Sequence, residues 1–292
     1  MRIAVFGKQF GEVFFNACKS LFQILKENNV EIVIHKPFYQ FLLTNVKMKP
    51  EVSDFFMDHD EITDVDLVFS IGGDGTFLEA VTYVRDKGIP IVGINSGRLG
   101  FLADISQGEM KVAIEEVIEG NYTTRQIDLL EIETGDNHFG EYNFALNELA
   151  ISKRDSSAMI IVHTYVNDEF LNSFWSDGLI VSTTTGSTAY SLSVGGPILH
   201  PSSKSFVITP IAPHNLNVRP IVVPNDVEVT LKVEGRDSKF LASLDSRSKV
   251  LENTVHLKVK KAKFSINVIE LRGHSFFTTL RNKLMWGVDK RN

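Results

Sequence analysis

The stretch Asp66-Leu67-Val68-Phe69-Ser70-Ile71-Gly72-Gly73-Asp74-Gly75-Thr76 decides the reading of the fold. Asp66 to Ile71 is a short apolar run with the length of a buried strand. Three glycines then bracket one aspartate. A helical pattern, Phe77 to Lys87, follows at once, with Gly88 placed to cap its C-terminus. A strand that turns sharply into a helix is the unit of an open α/β sheet, and such sheets bind ligands at the carboxyl ends of their strands. Glycine lets the backbone approach an anion closely, and amides at a helix start add donors and a positive partial charge. The turn therefore reads as a phosphate cradle. Asp74 stands apart, because a carboxylate beside phosphate is electrostatically unfavourable. It can accept a proton from an attacking hydroxyl or help hold a metal ion. A bland alternative stays open, a tight turn with Asp74 as the helix N-cap.

The same alternation extends on both sides. Ile3 to Phe6 is an apolar run ending at Gly7, and Val13 to Asn28 carries Phe14, Ala17, Leu21, Ile24 and Leu25 at helical spacing. Val30 to Ile34 is a β-branched run closed by Pro37. Phe38 to Thr44 reads as a short helix and Lys47 to Asp60 as a loop. Downstream come a strand at Ile89 to Ile94 and a helix at Met110 to Glu119. Strands joined through helices imply a parallel sheet. After Tyr122 the pattern changes to short β-branched runs, among them Ala158 to Val166, Val227 to Val233 and Val255 to Val259, parted by turn signals such as Asn167-Asp168 and Pro224-Asn225-Asp226. The helical stretch Ser275 to Trp286 places Phe276, Phe277, Leu280 and Leu284 on one side, which needs cover. The expectation is an α/β N-terminal domain with a parallel sheet (1–122, rejoined by 273–292) and a β-rich C-terminal domain (123–272), with the last helix packed back on the first.

Composition sets bounds. A chain of 292 residues with 21 phenylalanines has apolar material for two cores. A net charge of −6 argues against general nucleic-acid binding, which needs clustered Lys and Arg. Cys18 is the only cysteine, which excludes an intramolecular disulfide and disfavours a cysteine-based zinc site. No apolar run approaches the roughly 20 residues that span a bilayer, and Met1 to Gly7 reads as a strand rather than a signal peptide. Cytoplasm is the expected compartment. Neither G-x-G-x-x-G nor the P-loop pattern occurs.

Four segments together resemble the NAD kinase family, part of the larger group containing phosphofructokinases and diacylglycerol kinases. The first is Gly72 to Leu78, shared across that group. The second is Gly93-Ile94-Asn95-Ser96-Gly97-Arg98-Leu99-Gly100-Phe101-Leu102, and the third is Asn147-Glu148, read as a strand end. The fourth is the most specific: Asp177-Gly178-Leu179-Ile180-Val181-Ser182-Thr183-Thr184-Thr185-Gly186-Ser187-Thr188-Ala189-Tyr190, continuing through Ser193, Gly195-Gly196-Pro197 and His200-Pro201.

The resemblance implies phosphoryl transfer from ATP to the adenosine 2′-hydroxyl of NAD. Asp74 is implied as the general base and Gly73 and Gly75 as phosphate binders. Phe101 is implied to line the pocket near the adenine, and Asn147 and Glu148 to hold polar groups of adenine and ribose. Thr188, Ala189, Tyr190 and Ser193 are implied as the adenine and ribose wall, and Ala212 as the nicotinamide end. Asp177 is implied to approach the nicotinamide amide, in this family often from a neighbouring subunit. Asp245 matches a late aspartate of the pattern. The chain departs from the family at Thr184, where proline is usual, and at Ser246, where glycine or histidine is frequent. A homodimer or homotetramer, a site between the domains and Mg²⁺ carried on the triphosphate, with no protein metal ligand assigned, follow from the same resemblance.

The residues by themselves leave alternatives. Asp177 before Gly178 fits a plain turn, and Lys258, Lys260, Lys261 and Lys263 fit a solvated strand face. Adjacent Asn147 and Glu148 point to opposite sheet faces, so one of them needs a buried partner or a ligand. Two other functions are carried forward: a kinase of the same group acting on a lipid or sugar, and a dinucleotide sensor without turnover.

Overall fold

The structure, a computed structural model, describes residues 1–154 and 158–287. The chain forms two units, one made of Met1–Gln126 with Ile266–Asn292 and the other of Ile127–Ser265.

The first unit alternates strands and helices: β1 (Arg2–Gly7), α1 (Phe15–Glu27), β2 (Glu31–His35), α2 (Lys36–Phe41), β3 (Asp54–Phe56), β4 (Leu67–Gly72), α3 (Asp74–Val84), β5 (Ile91–Asn95) and α4 (Met110–Glu119). β5, β4, β1, β2 and β3 lie side by side in that order, and every pairing is parallel. Alternate residues of each strand face opposite ways, so both faces must be covered. Ile3, Val5, Phe69 and Ile94 share a core with Leu21, Leu25, Ile114 and Val117 of α1 and α4. On the other face Phe6, His35 and Phe56 stack around Tyr83 of α3, with ring centroids 5.0, 5.4 and 5.8 Å from it. Strand order reverses between β1 and β4. Their carboxyl ends, Gly7 and Gly72, therefore form the switch point at which open sheets of this kind take ligands.

Three local expectations change. The segment Lys47 to Asp60 contains β3, an edge strand too short to show periodicity. The glycine-turn helix ends at Val84, because Arg85 adopts φ 49° and closes it; Gly88 sits in the turn beyond. Asn147-Glu148 opens a strand rather than ending one.

The chain leaves the first unit within β6 (Tyr122–Glu133). The second unit continues with β7 (Phe144–Ala145), β8 (Glu148–Lys153), β9 (Ile160–Val166), β10 (Glu169–Ser176), β11 (Gly178–Ser182), α5 (Tyr190–Ser193), β12 (Ser205–Ile211), β13 (Ile221–Pro224), β14 (Val229–Glu234), β15 (Lys239–Leu244), β16 (Arg247–Glu252) and β17 (Leu257–Leu271). One antiparallel sheet runs β13-β12-β11-β8-β15-β16, and β10, β9, β14 and the first half of β17 form an antiparallel set. Leu149, Leu179, Phe206 and Leu244 of the former share a core with Val162, Leu231 and Leu257 of the latter, as stacked sheets with one apolar face each require. Three lysines of β17 pair with carboxylates: Lys258 with Glu228, Lys260 with Glu131 and Glu133, Lys261 with Asp128.

β17 ends in the first unit, parallel to β5, and leads into α6 (Phe276–Leu284). Ser275 caps α6 by accepting the Thr278 N–H at 3.2 Å. The helix is covered only in part: Phe276 lies 6.2 Å from the ring of Phe101 and Leu280 is buried, whereas Phe277, expected on the covered side, is exposed.

Candidate active site

In the first unit the glycine turn behaves as a cradle with an unexpected occupant. Gly73, not Asp74, is the N-cap of α3, and Asp74 makes no cap bond. Its side chain crosses instead to the turn after β5. There Oδ2 accepts the Phe101 N–H at 3.0 Å, and Oδ1 accepts those of Leu102 and Ala103, each at 3.0 Å. The N-cap alternative is thereby overturned. Gly100 makes the approach possible: a Cβ there would stand 1.9 Å from Asp74 Oδ1. A fourth donor comes from α6, where Lys283 Nζ lies 3.0 Å from Oδ2 and 4.6 Å from the Phe101 ring centroid. Burial pushes the Asp74 carboxyl up, but the N–H groups of Ala103 and Phe101, the Lys283 charge and the Leu102 N–H outweigh it and hold the group below its ordinary value. Asp74 is therefore ionised at neutral pH.

With the carboxylate drawn aside, the amides of the turn are left open. Among the described residues none accepts from the N–H of Gly73, Asp74 or Gly75, and a Cβ built on Gly73 or Gly75 meets nothing within 4 Å. A cavity of about 630 Å³ opens near the carboxyl ends of β1 and β2, lined among others by Lys8, His35, Phe38, Phe41, Glu79 and Tyr83. Lys8 and Glu79 pair with each other there.

The second unit holds a second clustered set. Asp245 takes φ 51° in the turn between β15 and β16. Its carboxylate accepts the N–H of Leu146 at 3.0 Å, of Asn147 at 2.9 Å and of Glu148 at 3.2 Å. This clamp fixes the segment that carries Asn147 and Glu148, both buried. The Asn147 carbonyl accepts the Thr183 N–H at 2.8 Å and lies against Gly186, where a Cβ would come within 2.1 Å of it. Glu148 Oε2 is buried without any hydrogen-bond partner. Burial and then the charge of Asp245 push its carboxyl up to about 8, against the Tyr190 N–H, which favours the anion. Burial also raises Asp245, opposed by its three N–H donors and by Arg247. At neutral pH the proton sits on Glu148, whose free oxygen lacks the donors that Asp245 has.

The register of the sheet sorts the remaining residues. Glu148 faces Ser182 at one end of β8 and β11. The turn that follows β11 carries Thr188, Ala189, the half-exposed Tyr190 and Ser193. At the opposite end Ser152 faces Gly178, which faces Ile211, so Asp177 and Ala212 are neighbours there. Five residues of strand, about 17 Å, separate the two ends. Asp177 pairs with Lys153 at 2.6 Å, and Ala212 holds φ 45°. The structure thus gathers Asn147, Glu148, Thr188, Ala189, Tyr190, Ser193 and Asp245 at one end, and Asp177 with Ala212 at the other.

Sequence reasoning missed Lys283, 209 positions from Asp74, and missed the amides of 101–103 as the seat of the carboxylate. No local pattern carries a contact of that separation. The glycine at position 100, inside the second motif, is the one trace of it in the sequence.

Comparison with known proteins identifies the family. The model described as ATP-NAD kinase N-terminal domain matches residues 14–122, and that described as ATP-NAD kinase C-terminal domain matches residues 146–271. The NAD kinase of Cytophaga hutchinsonii is 45% identical over 292 residues, with both chains covered in full. The crystal structure of yeast NADH kinase complexed with NADH shares the fold, with a TM-score of 0.87 at 22% identity over 99% of this chain and 88% of that one. An NAD kinase from Archaeoglobus fulgidus, crystallised in complex with ATP, gives 0.76 at 26% identity over 97% and 99%.

Proposed function

This chain belongs to the NAD kinase family, and from that premise we propose that Asp74 takes the proton as the adenosine 2′-hydroxyl of NAD attacks the terminal phosphorus of ATP. The 2′-oxygen–phosphorus bond forms, the bond from that phosphorus to the bridging oxygen breaks, and ADP leaves with the electron pair. Positioning and charge neutralisation dominate such transfers, and a placed base typically contributes ~10²–10⁴-fold. The observation that carries the reading is the path of the Asp74 side chain: it heads α3 without capping it and is anchored by three backbone donors instead.

The open amides of Gly73, Asp74 and Gly75 take the phosphates of the donor, and the aromatic cavity beside Tyr83 fits its base. A divalent cation such as Mg²⁺ would be carried by the triphosphate itself, since hard cations of this kind prefer oxygen donors. Among the described residues no group of three His, Cys, Asp or Glu side chains is placed to hold a metal ion. The cation adds positive charge to the phosphates.

Asn147 and Glu148 hold the adenosine half of NAD, the Thr188–Tyr190 turn with Ser193 borders it, and Asp245 acts by fixing the backbone of Asn147 and Glu148. A protonated Glu148 can donate as well as accept, which suits a ribose hydroxyl or a ring nitrogen. Asp177 and Ala212, at the far end of the sheet, serve the nicotinamide end, with a second copy of the chain as the source of Asp177 in a homo-oligomer. No helix among the described residues is long and apolar enough to cross a membrane, and the cytoplasm, where NAD and ATP are plentiful, is the proposed location.

Incubating the protein with NAD, ATP and Mg²⁺ and following NADP tests the proposal. Asp74→Asn should retain NAD binding and lose about two to four orders of magnitude in turnover; turnover within twofold of wild type would remove Asp74 from the mechanism.

A further inference from the structure

Asp74 is too well satisfied to act as a base in the state described. Each oxygen of its carboxylate already accepts two donors, three from the backbone and one from Lys283. To accept a proton, one of these positions must be vacated. The backbone donors cannot leave without dismantling the turn that Gly100 packs against. Lys283 can leave. It sits at the end of a flexible four-carbon stem, and its side chain and that of Asp74 are each 29% exposed, so water can replace either partner. Ion pairs that water can reach hold more weakly than enclosed ones.

A departing ammonium needs another anion. Asp74 is the first residue of α3, and Gly73 and Gly75 beside it offer the open amides. A triphosphate seated on those amides would bring its oxygens within reach of the same Nζ. We propose that Lys283, delivered by the C-terminal helix, is an exchangeable partner: it pairs with Asp74 until the triphosphate binds and then moves onto the donor's phosphoryl oxygens. One displacement then does two things. It frees the carboxylate to take the 2′-hydroxyl proton, and it places positive charge where negative charge accumulates during transfer. Donor binding and base activation become coupled, so a dinucleotide bound alone meets a covered base.

The inference rests on Asp74 being the proton acceptor, and the test separates the two. Lys283→Met is compared with Arg281→Met, which removes the same charge from the same helix at a residue that contacts Thr278 instead. Inorganic tripolyphosphate serves as the probe of the phosphate seat, measured by calorimetry with and without NAD. Lys283→Met should weaken tripolyphosphate about tenfold, the effect of losing one modest ionic contact. It should lower turnover by about 10², the usual cost of removing one donor to developing charge, and leave the NAD dissociation constant unchanged. The acid limb of its kcat/KM profile, which reports the free enzyme, should move to higher pH, because Asp74 there loses a cation that keeps it ionised. Lys283→Arg should restore tripolyphosphate binding, and Arg281→Met should match wild type throughout.

Unchanged tripolyphosphate affinity with turnover within twofold would overturn the inference. Faster turnover in Lys283→Met would overturn it too, since the lysine would then only obstruct. A loss of NAD binding in step with melting temperature would reduce the residue to a packing role. Should the methionine variant not fold, wild-type protein with ¹³C-methylated lysines gives the answer: the Lys283 resonance must shift on adding tripolyphosphate. The tripolyphosphate readings do not involve proton transfer, so they stand or fall independently of whether Asp74→Asn is inactive.

Discussion

Two aspartates, one in each unit, are seated in nearly the same way, and the proposed function puts them to opposite uses. Asp74 accepts the N–H groups of residues 101, 102 and 103, and Asp245 those of residues 146, 147 and 148. Three consecutive amides turned on one carboxylate form an anion-binding concavity of the kind that also grips phosphates. What differs is the surroundings. Asp74 is part-exposed, faces a lysine and is held below the ordinary carboxylate range. Asp245 is almost wholly enclosed, has Arg247 no nearer than 3.9 Å, and lies beside a second carboxyl, Glu148. A seat open to water beside a lysine leaves an ionised carboxylate within reach of a ligand. The same seat closed makes a clamp that shapes the backbone of a binding segment.

That contrast is most exposed to refutation at Asp74. Replacement by Asn should cost roughly 10²–10⁴ in turnover with little change in stability, whereas Asp245→Ala should do the reverse. Removing the clamp leaves three N–H groups without an acceptor, each worth roughly 1–3 kcal/mol when buried and unpaired. A loss of at least about 3 kcal/mol in urea unfolding is expected for Asp245→Ala. If Asp245→Ala instead unfolds like wild type and loses only turnover, the second carboxylate is catalytic and the division of roles is wrong.

Gly100 sharpens the comparison at a smaller scale. A methyl group there would overlap Asp74 Oδ1, so Gly100→Ala should push the carboxylate off its seat while sparing the fold around it. Displacements near 1 Å at a reacting group cost up to about 10² in rate, and a loss of about tenfold, with NAD affinity kept, is the expected result. Equal losses of rate and affinity would mean that the turn itself had moved.

How much of this was legible in the sequence follows from the range of the signals involved. Strand β4, the glycine turn and α3 are contiguous, and the change from alternating strands and helices to short β-branched runs near Tyr122 marks the α/β and β-rich parts plainly. The edge strand Asp54–Phe56 escaped because three residues carry no period. The motif resemblance picked out Asp74, Asn147, Glu148 and Asp245 one by one, but not what each touches. Asp245 grips amides 97 to 99 positions away, and Lys283 reaches Asp74 across 209. Such contacts are set by the sheet order and by the return of β17 into the first unit, and only the folded chain displays them. The oddness of two adjacent polar residues at Asn147 and Glu148 was visible, and the structure gives its reason: Glu148 is buried with one oxygen unpaired.

That oxygen supplies the smallest and most discriminating effect. Glu148 titrates near 8 in the folded chain, far above an ordinary glutamate, because burial and then the Asp245 charge oppose its ionisation. The folded state therefore binds a proton that the unfolded state has already lost between those two pKa values. Stability from this group is greatest below the unfolded pKa, near 4.5, and declines as pH rises towards 8. A neutral isostere has nothing to titrate. Thermal melts from pH 6 to 9 should show wild type losing several °C relative to Glu148→Gln, since each pH unit between the two pKa values removes about 1.4 kcal/mol and each kcal/mol moves Tm by roughly 2–4 °C. At pH 7 the variant should bind NAD within about threefold of wild type, since a carboxylic acid and an amide can both donate to the same acceptor. Parallel pH profiles for the two proteins would place the proton on Asp245 instead, and with it the distinction between the carboxylate that is clamped and the one that is free to bind.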